Sequence, residues 1–524
     1  MANKSLFASN VGRFPLIDTM NEAGGLAYKL SPKQALAQYA ATGCFNSTFY
    51  ATADEQLKKV IDLACDVETE FVARVALYSR SKGHMKDMPA LLVAALSVLS
   101  PGLMAEVFDR VIDSPKMLRN FVQIMRSGVV GRKSLGTLPK RCVRKWLEAR
   151  TDDQLFRGSV GASPSLADVI KMVHPRPSNA TRAALYGYLV GKKHDASALP
   201  ELVKKYEDFM VNSPKFKADD VPDVPMDMLT RSPMERRHWK TLALRVSWQT
   251  LRMNLNTFTR HRVFEDLSTV TKVTARLRDA NEIAKARVFP YQLMAAYMNT
   301  GDNVPGPLMN ALQDAMEIAI ANVPTVDGKV WVLPDVSGSM QSPVTGVRKG
   351  STTKVRCIDV AALVAAAVLR KNPDAGVLPF SDDVVKAKLN PRDSVLTNAQ
   401  RLAALPSGGT NCSAPLRYLN EQRLTGDLVI YISDNESWMD SGGFQGVSRS
   451  TEAMEQWRQF KGRSPHAKLV CLDVQPTGST QAIGRADVLN IGGFSDAVFS
   501  VISKFNISSS DPDYWVAQIE KLSI

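Results

Sequence analysis

The chain has 524 residues, 45% of them hydrophobic, and a formal net charge of +13. That length exceeds one ordinary core and implies two or three domains, while the apolar fraction is that of a globular chain rather than a disordered one. The longest mainly apolar run, 90–99, is too short to span a bilayer, and no charged-then-apolar start marks a leader, so no membrane partner and a cytoplasmic location are expected.

The six cysteines stand singly, with no CxxC pair for zinc or redox work, and read as reduced thiols. Charge is unevenly spread. Residues 327–524 carry 21 Lys and Arg against 20 Asp and Glu, which leaves 44 bases and 32 acids in the first part. An excess of that size on one part points to an anionic partner, nucleic acid above all, against the plain alternative of a basic surface kept for solubility.

In chain order, the first part is predicted helical nearly throughout. Apolar residues recur with a helical period over 56–76, 89–99, 115–125, 138–149, 165–173, 181–190 and 199–210. After a Pro- and Asp-rich loop at 212–236, helices resume at 238–256, 268–280, 288–299 and 307–321. Helices of this length joined by short turns suggest stacked antiparallel pairs, an α-solenoid of the HEAT type. Beyond Asn322-Val323-Pro324 the pattern alternates. Strands are expected at 329–333, 375–380, 427–432, 468–473 and 488–491, with helices between them such as 358–370, which implies a mainly parallel, doubly wound sheet. The chain therefore divides into a helical domain, 1–325, and an α/β domain, 326–524.

The segment Asp335-Val336-Ser337-Gly338-Ser339-Met340 follows the first of these strands. A carboxylate and two hydroxyls just past a strand's carboxyl end stand where open α/β sheets bind ligands, and they make a hard oxygen set suited to Mg²⁺. Ser407-Gly408-Gly409-Thr410-Asn411 supplies a hydroxyl on a tight turn, and Ser433-Asp434-Asn435-Glu436 ends another apolar strand. The plain alternative is that Asp335 and its serines only cap the next helix. The order Asp-x-Ser-x-Ser, Gly-Thr, strand-Asp resembles the metal-ion-dependent adhesion site of von Willebrand factor A domains. That resemblance implies one divalent ion, most simply Mg²⁺, held by Asp335, Ser337, Ser339, Thr410 and Asp434, with a last place for a partner's carboxylate. The basic, Gly/Ser-rich stretch 341–353 lengthens the first loop and is expected to be mobile.

Other segments narrow the resemblance. Asn21-Glu22-Ala23-Gly24-Gly25, Gly43-Cys44-Phe45-Asn46-Ser47-Thr48-Phe49-Tyr50, Leu251-Arg252-Met253-Asn254-Leu255, Arg287-Val288-Phe289-Pro290 and Ile170-Lys171-Met172-Val173-His174-Pro175-Arg176-Pro177 resemble the Ro autoantigen family and its TROVE module. Ile432 to Trp438 and Gly493-Phe494-Ser495-Asp496 resemble the end of its A domain, and the compact length resembles the bacterial members.

The resemblance implies a HEAT-like solenoid closed into a monomeric ring by the A domain. It implies a hole that admits single-stranded 3′ ends of misfolded or defective non-coding RNAs. It also implies an outer basic face for Y-like small RNAs, and an exoribonuclease partner such as polynucleotide phosphorylase in RNA quality control or decay.

For the RNA face, Lys140, Arg141, Arg144 and Lys145 share one helix face, with Arg132 and Lys133 just before it. Such a stripe can track phosphates or be a solvated face. His174 resembles a family histidine of the Y RNA surface and lies between Lys171 and Arg176. Arg157 belongs to the same set, and a departure is Gly161, which stands where the family commonly carries a base. Arg236, Arg237, His238 and Lys240, with Arg260, His261 and Arg262, form two further clusters whose Trp239 and Phe258 are stacking platforms or core residues. The favoured function is a non-catalytic RNA-binding ribonucleoprotein scaffold. The alternative is a metal-dependent protein-binding adaptor. No P-loop, HExxH or nucleophile–base pair is present, and two-metal phosphoryl chemistry needs more clustered carboxylates, so no enzyme is expected.

Overall fold

The computed structural model describes residues 17–43, 45–161, 163–286, 288, 290–320, 323, 325–347, 353–437, 450–493, 496–508 and 513–524. Of the segments singled out above, Cys44, Arg287, Phe289, Trp438, Phe494, Ser495 and the 348–352 part of the first metal loop lie outside these residues. The chain forms two compact units, one of 67–319 with 522–524, the other of 1–66 with 320–521. The division read from sequence at 325/326 leaves the N-terminal segment with the helices, whereas the structure places its described part with the sheet.

The helical unit follows from local sequence rules. Pro115–Ser127 starts on Ser114, whose side chain accepts from the Met117 amide, and ends on Gly128 at φ 91°, a left-handed position that glycine adopts without a Cβ penalty. Asp87–Leu99 is buried over most of its surface, as an all-round apolar helix must be.

Two expected helices are broken. The pattern at 56–76 is two helices, Ala53–Cys65 and Thr69–Ser81. That at 238–256 is three, Arg236–Arg245, Trp248–Met253 and Leu255–Arg260. Ser247 breaks the second pattern because its side chain caps the next helix by accepting from the Thr250 amide. Helix Pro32–Thr42, which was not read from the sequence, is buried along most of its length and so shows little period, whereas Pro101–Val111, also unread, buries Met104, Val107, Phe108 and Val111 at a plain helical period. Among the described residues no helix is long and apolar enough to cross a membrane.

In the other unit five parallel strands form one sheet: β3 (Val330–Pro334), β4 (Gly376–Val377), β5 (Leu428–Ser433), β6 (Lys468–Asp473) and β8 (Val488–Gly492), in the order β4-β3-β5-β6-β8. Chain order reverses at β3, so the gap between the carboxyl ends of β3 and β5 is the switch point where such sheets take ligands. Register fixes what emerges there. Pro334 pairs with Ile432, so Asp335 leaves β3 beside Ser433 and Asp434.

Strand β4 is shorter than the expected 375–380, because Phe380 makes only isolated bridges, one of them to Asp335. A second, antiparallel sheet joins β1 (Thr19–Met20), β2 (Leu26–Lys29) and β7 (Ser479–Thr480). It fastens the N-terminal segment to the sheet unit, and Gln38 of helix Pro32–Thr42 reinforces this by donating to Asp473 Oδ2 at 2.8 Å.

One core cluster holds the sheet in register from one face, with Trp331, Leu333, Phe380, Tyr431, Trp457 and Phe460 buried together. Gly376 is required beside it, since a Cβ there would stand 2.1 Å from the Trp331 ring. Gly376→Ala is therefore expected to destabilise the protein by about 1–3 kcal/mol through overpacking, read as a lower denaturation midpoint at unchanged m-value.

Candidate cation site and basic surface

The five oxygen-bearing residues read from the sequence stand on three loops that hydrogen bonds lock together. The Asp335 amide donates to Ile432 O at 3.0 Å, and Gly338 N donates to Gly408 O at 2.9 Å. The Cys412 amide donates to Ser437 Oγ at 2.9 Å. These three bonds tie the first loop to the third, the first to the second, and the second to the third. Gly408 packs against Asp382, since a Cβ on it would meet Asp382 Oδ2 at 2.3 Å. Asn435 turns the third loop in a left-handed conformation, φ 64°. Its side chain is anchored by donating to Thr480 Oγ1 at 2.9 Å and by accepting from the Gln481 amide at 3.2 Å.

Asp335, Ser337, Ser339, Thr410 and Asp434 are all buried. Asp335 Oδ1 accepts from its own loop at Ser337 N, 2.8 Å, and Oδ2 accepts from Ser433 Oγ, 2.6 Å. The Ser337 and Ser339 hydroxyl oxygens lie 3.3 Å apart. Adjacent ligands on an octahedron with bonds of about 2.1 Å sit about 3 Å apart, so the two serines have the spacing of neighbouring ligands.

The electrostatics point the same way. Burial, then repulsion by Asp434, pushes the Asp335 carboxyl up to about 7. Burial likewise raises Asp434. Among the described residues no Lys, Arg or His forms an ion pair with either. Two desolvated carboxylates without a counter-charge form a site that a hard divalent cation fits.

Glu436, the other acid near the loops in sequence, is held apart from the set by specific bonds. Its Oε2 accepts from the Ala23 amide at 3.2 Å and its Oε1 from Thr477 Oγ1 at 3.0 Å. Burial pushes it up to about 8. Among the described residues no three His, Cys, Asp or Glu side chains cluster as a metal set, so any cation here depends on the hydroxyls. The place of Ala23 beside the site was not legible, because it lies hundreds of residues away along the chain. Ser433 was legible, directly before Asp434.

The basic residues fall in the helical unit. Helix Thr137–Glu148 presents exposed Arg141, Arg144 and Lys145, with Lys140 half-buried beside them. Arg132 and Lys133 lie in the preceding turn, half-buried and exposed. Arg144 Nε donates to Val173 O, which brings the stripe against the end of helix Leu166–Val173. There Lys171, His174 and Arg176 are exposed, and His174 closes the helix at φ 49°. Seven of the nine residues named for RNA are thus exposed or lie on this helix and the adjoining helix end.

Arg132 and Arg157 differ from the rest. Arg132 is half-buried in its turn, while Arg157 pairs with Asp223 at 2.7 Å. At Gly161 the space for a side chain is filled by Arg119, whose guanidinium would stand 2.1 Å from a Cβ and which donates to Val160 O. A base is therefore present at that position, supplied by another helix.

The two other clusters are matched by acids. Arg236 and Arg262 both pair with Glu265, Lys240 with Asp266 and Arg237 with Glu235. Trp239 and Phe258 are buried core residues, and His261 stacks on Trp239 at 3.8 Å.

An Asp-x-Ser-x-Ser loop at the switch point of a parallel sheet, with a Thr loop and a strand-end Asp beside it, defines a von Willebrand factor A-type domain, here in one chain with a helical-repeat unit. Residues 329–506 match the family model described as the Ro60 vWA domain. The chain is 27% identical to the RNA-binding protein RO60 of Deinococcus radiodurans, over 93% of this chain and 94% of that one. It is 23% identical to the RNA-binding protein RO60 of Caenorhabditis elegans, over 56% of this chain and 47% of that one. In fold it matches the crystal structure of the Deinococcus radiodurans RO (RSR) protein at a TM-score of 0.60 and 22% identity, covering 91% of this chain and 99% of that one. Over nearly its whole length the chain is thus similar to the Deinococcus Ro protein.

The raised carboxyls give a sign to the pH dependence of stability. Asp335 and Glu436 hold protons in the folded protein that the unfolded chain releases, so without a divalent cation stability falls as pH rises from about 4 to about 8. Asp335→Asn keeps an acceptor for Ser337 N and removes the repulsion with Asp434. At about pH 8 in chelator it should raise stability by an amount on the order of 1 kcal/mol, the worth of about one pKa unit. Thermal denaturation across that pH range checks both.

Proposed function

We propose that this protein binds RNA without catalysis, through the exposed basic residues of helices Thr137–Glu148 and Leu166–Val173. The observation that carries this is the contrast in charge pairing. Among the described residues Lys140, Arg141, Lys171 and Arg176 form no ion pair, whereas the clusters at 236–240 and 260–262 are largely neutralised by neighbouring acids. Unmatched bases on one surface attract a polyanion, and each phosphate contact releases counterions.

The names of the Deinococcus and Caenorhabditis relatives, both RNA-binding proteins, support the class of partner. The finer reading takes a structured, Y-like small RNA on this face and the single-stranded 3′ ends of misfolded non-coding RNAs as a further ligand, in the service of RNA quality control with an exoribonuclease partner. His174, exposed at a left-handed backbone position, would stack on or hydrogen-bond an unpaired base. The site at Asp335, Ser337, Ser339, Thr410 and Asp434 would hold a divalent ion, Mg²⁺ by the hardness of its oxygens.

A second reading is favoured by the surroundings of that site. Phe49 and Val347 are 58% and 59% exposed on the segments that flank it, apolar surface beside a cation of the kind that grips a protein partner's acidic residue. The two readings respond differently to conditions. RNA binding through about six phosphates weakens about 10³-fold between roughly 50 and 200 mM salt, whereas a cation-bridged protein contact is lost in chelator.

The double variant Arg141→Glu, Lys171→Glu leaves the anchoring bond of Arg144 untouched. It is expected to weaken structured RNA of any sequence at least tenfold and to flatten the salt slope. Binding equal to wild type, measured by fluorescence anisotropy, would place the RNA elsewhere.

A further inference from the structure

The turn 21–25 joins β1 to β2 and reaches the loops of the cation site. It closes on itself through the Asn21 amide, which donates to Gly25 O at 2.8 Å, and the Gly24 amide, which donates to Asn21 O at 3.1 Å. Gly24 stands at φ 83°, where a side chain would be strained. The Asn21 side chain is buried and both of its ends are used. Its Oδ1 accepts from the Gly25 amide at 2.6 Å, and its Nδ2 donates to Ser437 O at 2.7 Å.

Ser437 carries this hold to the second loop. Its hydroxyl accepts from the Cys412 amide at 2.9 Å and donates to Thr410 O at 3.4 Å. The backbone around Thr410 is held from other sides as well: the Gly409 amide donates to Asp382 Oδ1 at 2.7 Å, and the Asn411 amide donates to Ser381 O at 2.9 Å. Asn21, Ser437 and Thr410 are all buried, so water does not replace a bond that is lost there.

The third loop needs the same anchor. It leaves β5 at Ser433, which is paired with Asp473, carries Asp434, turns at Asn435, and is fastened again at Ser437 by Asn21. One side chain thus bears on two of the five oxygen-bearing residues, Asp434 along its own loop and Thr410 through the Ser437 hydroxyl. A small, hard cation demands near-ideal ligand geometry, and ligands keep it only when the groups behind them are fixed.

We infer that Asn21 is a positioning residue of the cation site, holding Ser437 so that its hydroxyl sets the Thr410 backbone for a divalent ion. This rests on the cation reading of the site proposed above. It gives the segment Asn21-Glu22-Ala23-Gly24-Gly25 a part in a site whose first ligand comes about 300 residues later.

The test is Mn²⁺ binding to the full chain, by calorimetry and by the electron paramagnetic resonance spectrum of the bound ion. Wild type is compared with Asn21→Ala, Ser437→Ala, the double variant and Tyr28→Phe. Asn21→Ala and Ser437→Ala are each expected to weaken Mn²⁺ about 3- to 10-fold, the worth of one net hydrogen bond, and to change the spectrum of the bound ion. Because Asn21 acts on Thr410 through Ser437, the double variant should lose less than the two single losses multiplied together. Tyr28 fastens the same hairpin outside the cation loops, its hydroxyl accepting from the Thr451 amide at 3.3 Å. Tyr28→Phe should therefore lower the denaturation midpoint and keep the wild-type affinity and spectrum, which separates positioning from general docking of the segment.

Ser437→Ala keeps the carbonyl that Asn21 holds, so it tests the relay even where Asn21→Ala fails to fold. Wild-type affinity in Ser437→Ala or Asn21→Ala, losses that simply multiply in the double variant, or an equal loss in Tyr28→Phe would overturn the role of Asn21 and leave the cation site standing. No Mn²⁺ binding by the wild type would overturn the site and this inference with it.

Discussion

Strands β3 and β5 pair in parallel with Pro334 opposite Ile432, and that register forces two carboxylates, Asp335 and Asp434, out of water at the same sheet end. The rest of the sheet unit around them is explained by this one unfavourable juxtaposition. Hydroxyls from Ser337, Ser339 and Ser433 surround the pair, each able to donate to a carboxylate or to turn an oxygen inward. The backbone of Gly408 bonds the second loop to the first by accepting from the Gly338 amide. Asn435 accepts a left-handed backbone so that Glu436 turns away to Ala23 and Thr477. Such a lattice costs more as a bare dicarboxylate than as a ligand set, because like charges in a low dielectric repel strongly.

The N-terminal segment belongs to this balance. Asn21 donates to Ser437 O of the third loop and Asn46 to Thr345 O of the first, and helix Pro32–Thr42 reaches the buried Asp473 through Gln38. The sheet unit is therefore assembled from chain segments separated by the whole helical unit, and the loops of Asp335 and Asp434 are held in part by Asn21, Ala23 and Asn46 of the N-terminal segment. Charge is handled differently in the helical unit. Where basic residues sit beside Glu265 and Asp266 the field is cancelled locally. At Lys140 and Arg141 of helix Thr137–Glu148, and at Lys171 and Arg176 by the end of helix Leu166–Val173, it is left open to solvent, and this difference, more than the total of +13, singles out a surface for a polyanion.

Much of this was legible in the sequence where one physical rule acted alone. The apolar runs 330–333 and 428–432 gave buried parallel strands, and the spacing of Asp335, Ser337 and Ser339 gave the first loop. Helices with a strong period and clear caps, such as Pro115–Ser127, fell where expected. Legibility failed where a local hydrogen bond outweighed the period, as at Ser247, or where contact crossed hundreds of residues, as for Ala23 and the placement of the N-terminal segment. The occupation of the Gly161 position by Arg119 belongs to the same class: a glycine reads as a missing base until the neighbouring helix is seen to supply one. Trp239 and Phe258 proved to be core, because aromatic residues interleaved with bases look alike in sequence whether they stack on ligand or on each other.

The most direct measurement is the affinity of the full chain for an RNA duplex with and without a single-stranded 3′ tail, at near-physiological salt. A protein that recognises structured RNA and its loose 3′ ends binds the tailed duplex tightly and the blunt one measurably less well. Failure to bind either RNA would contradict the account, and would leave the cation site, with its flanking Phe49 and Val347, as the functional centre of the molecule.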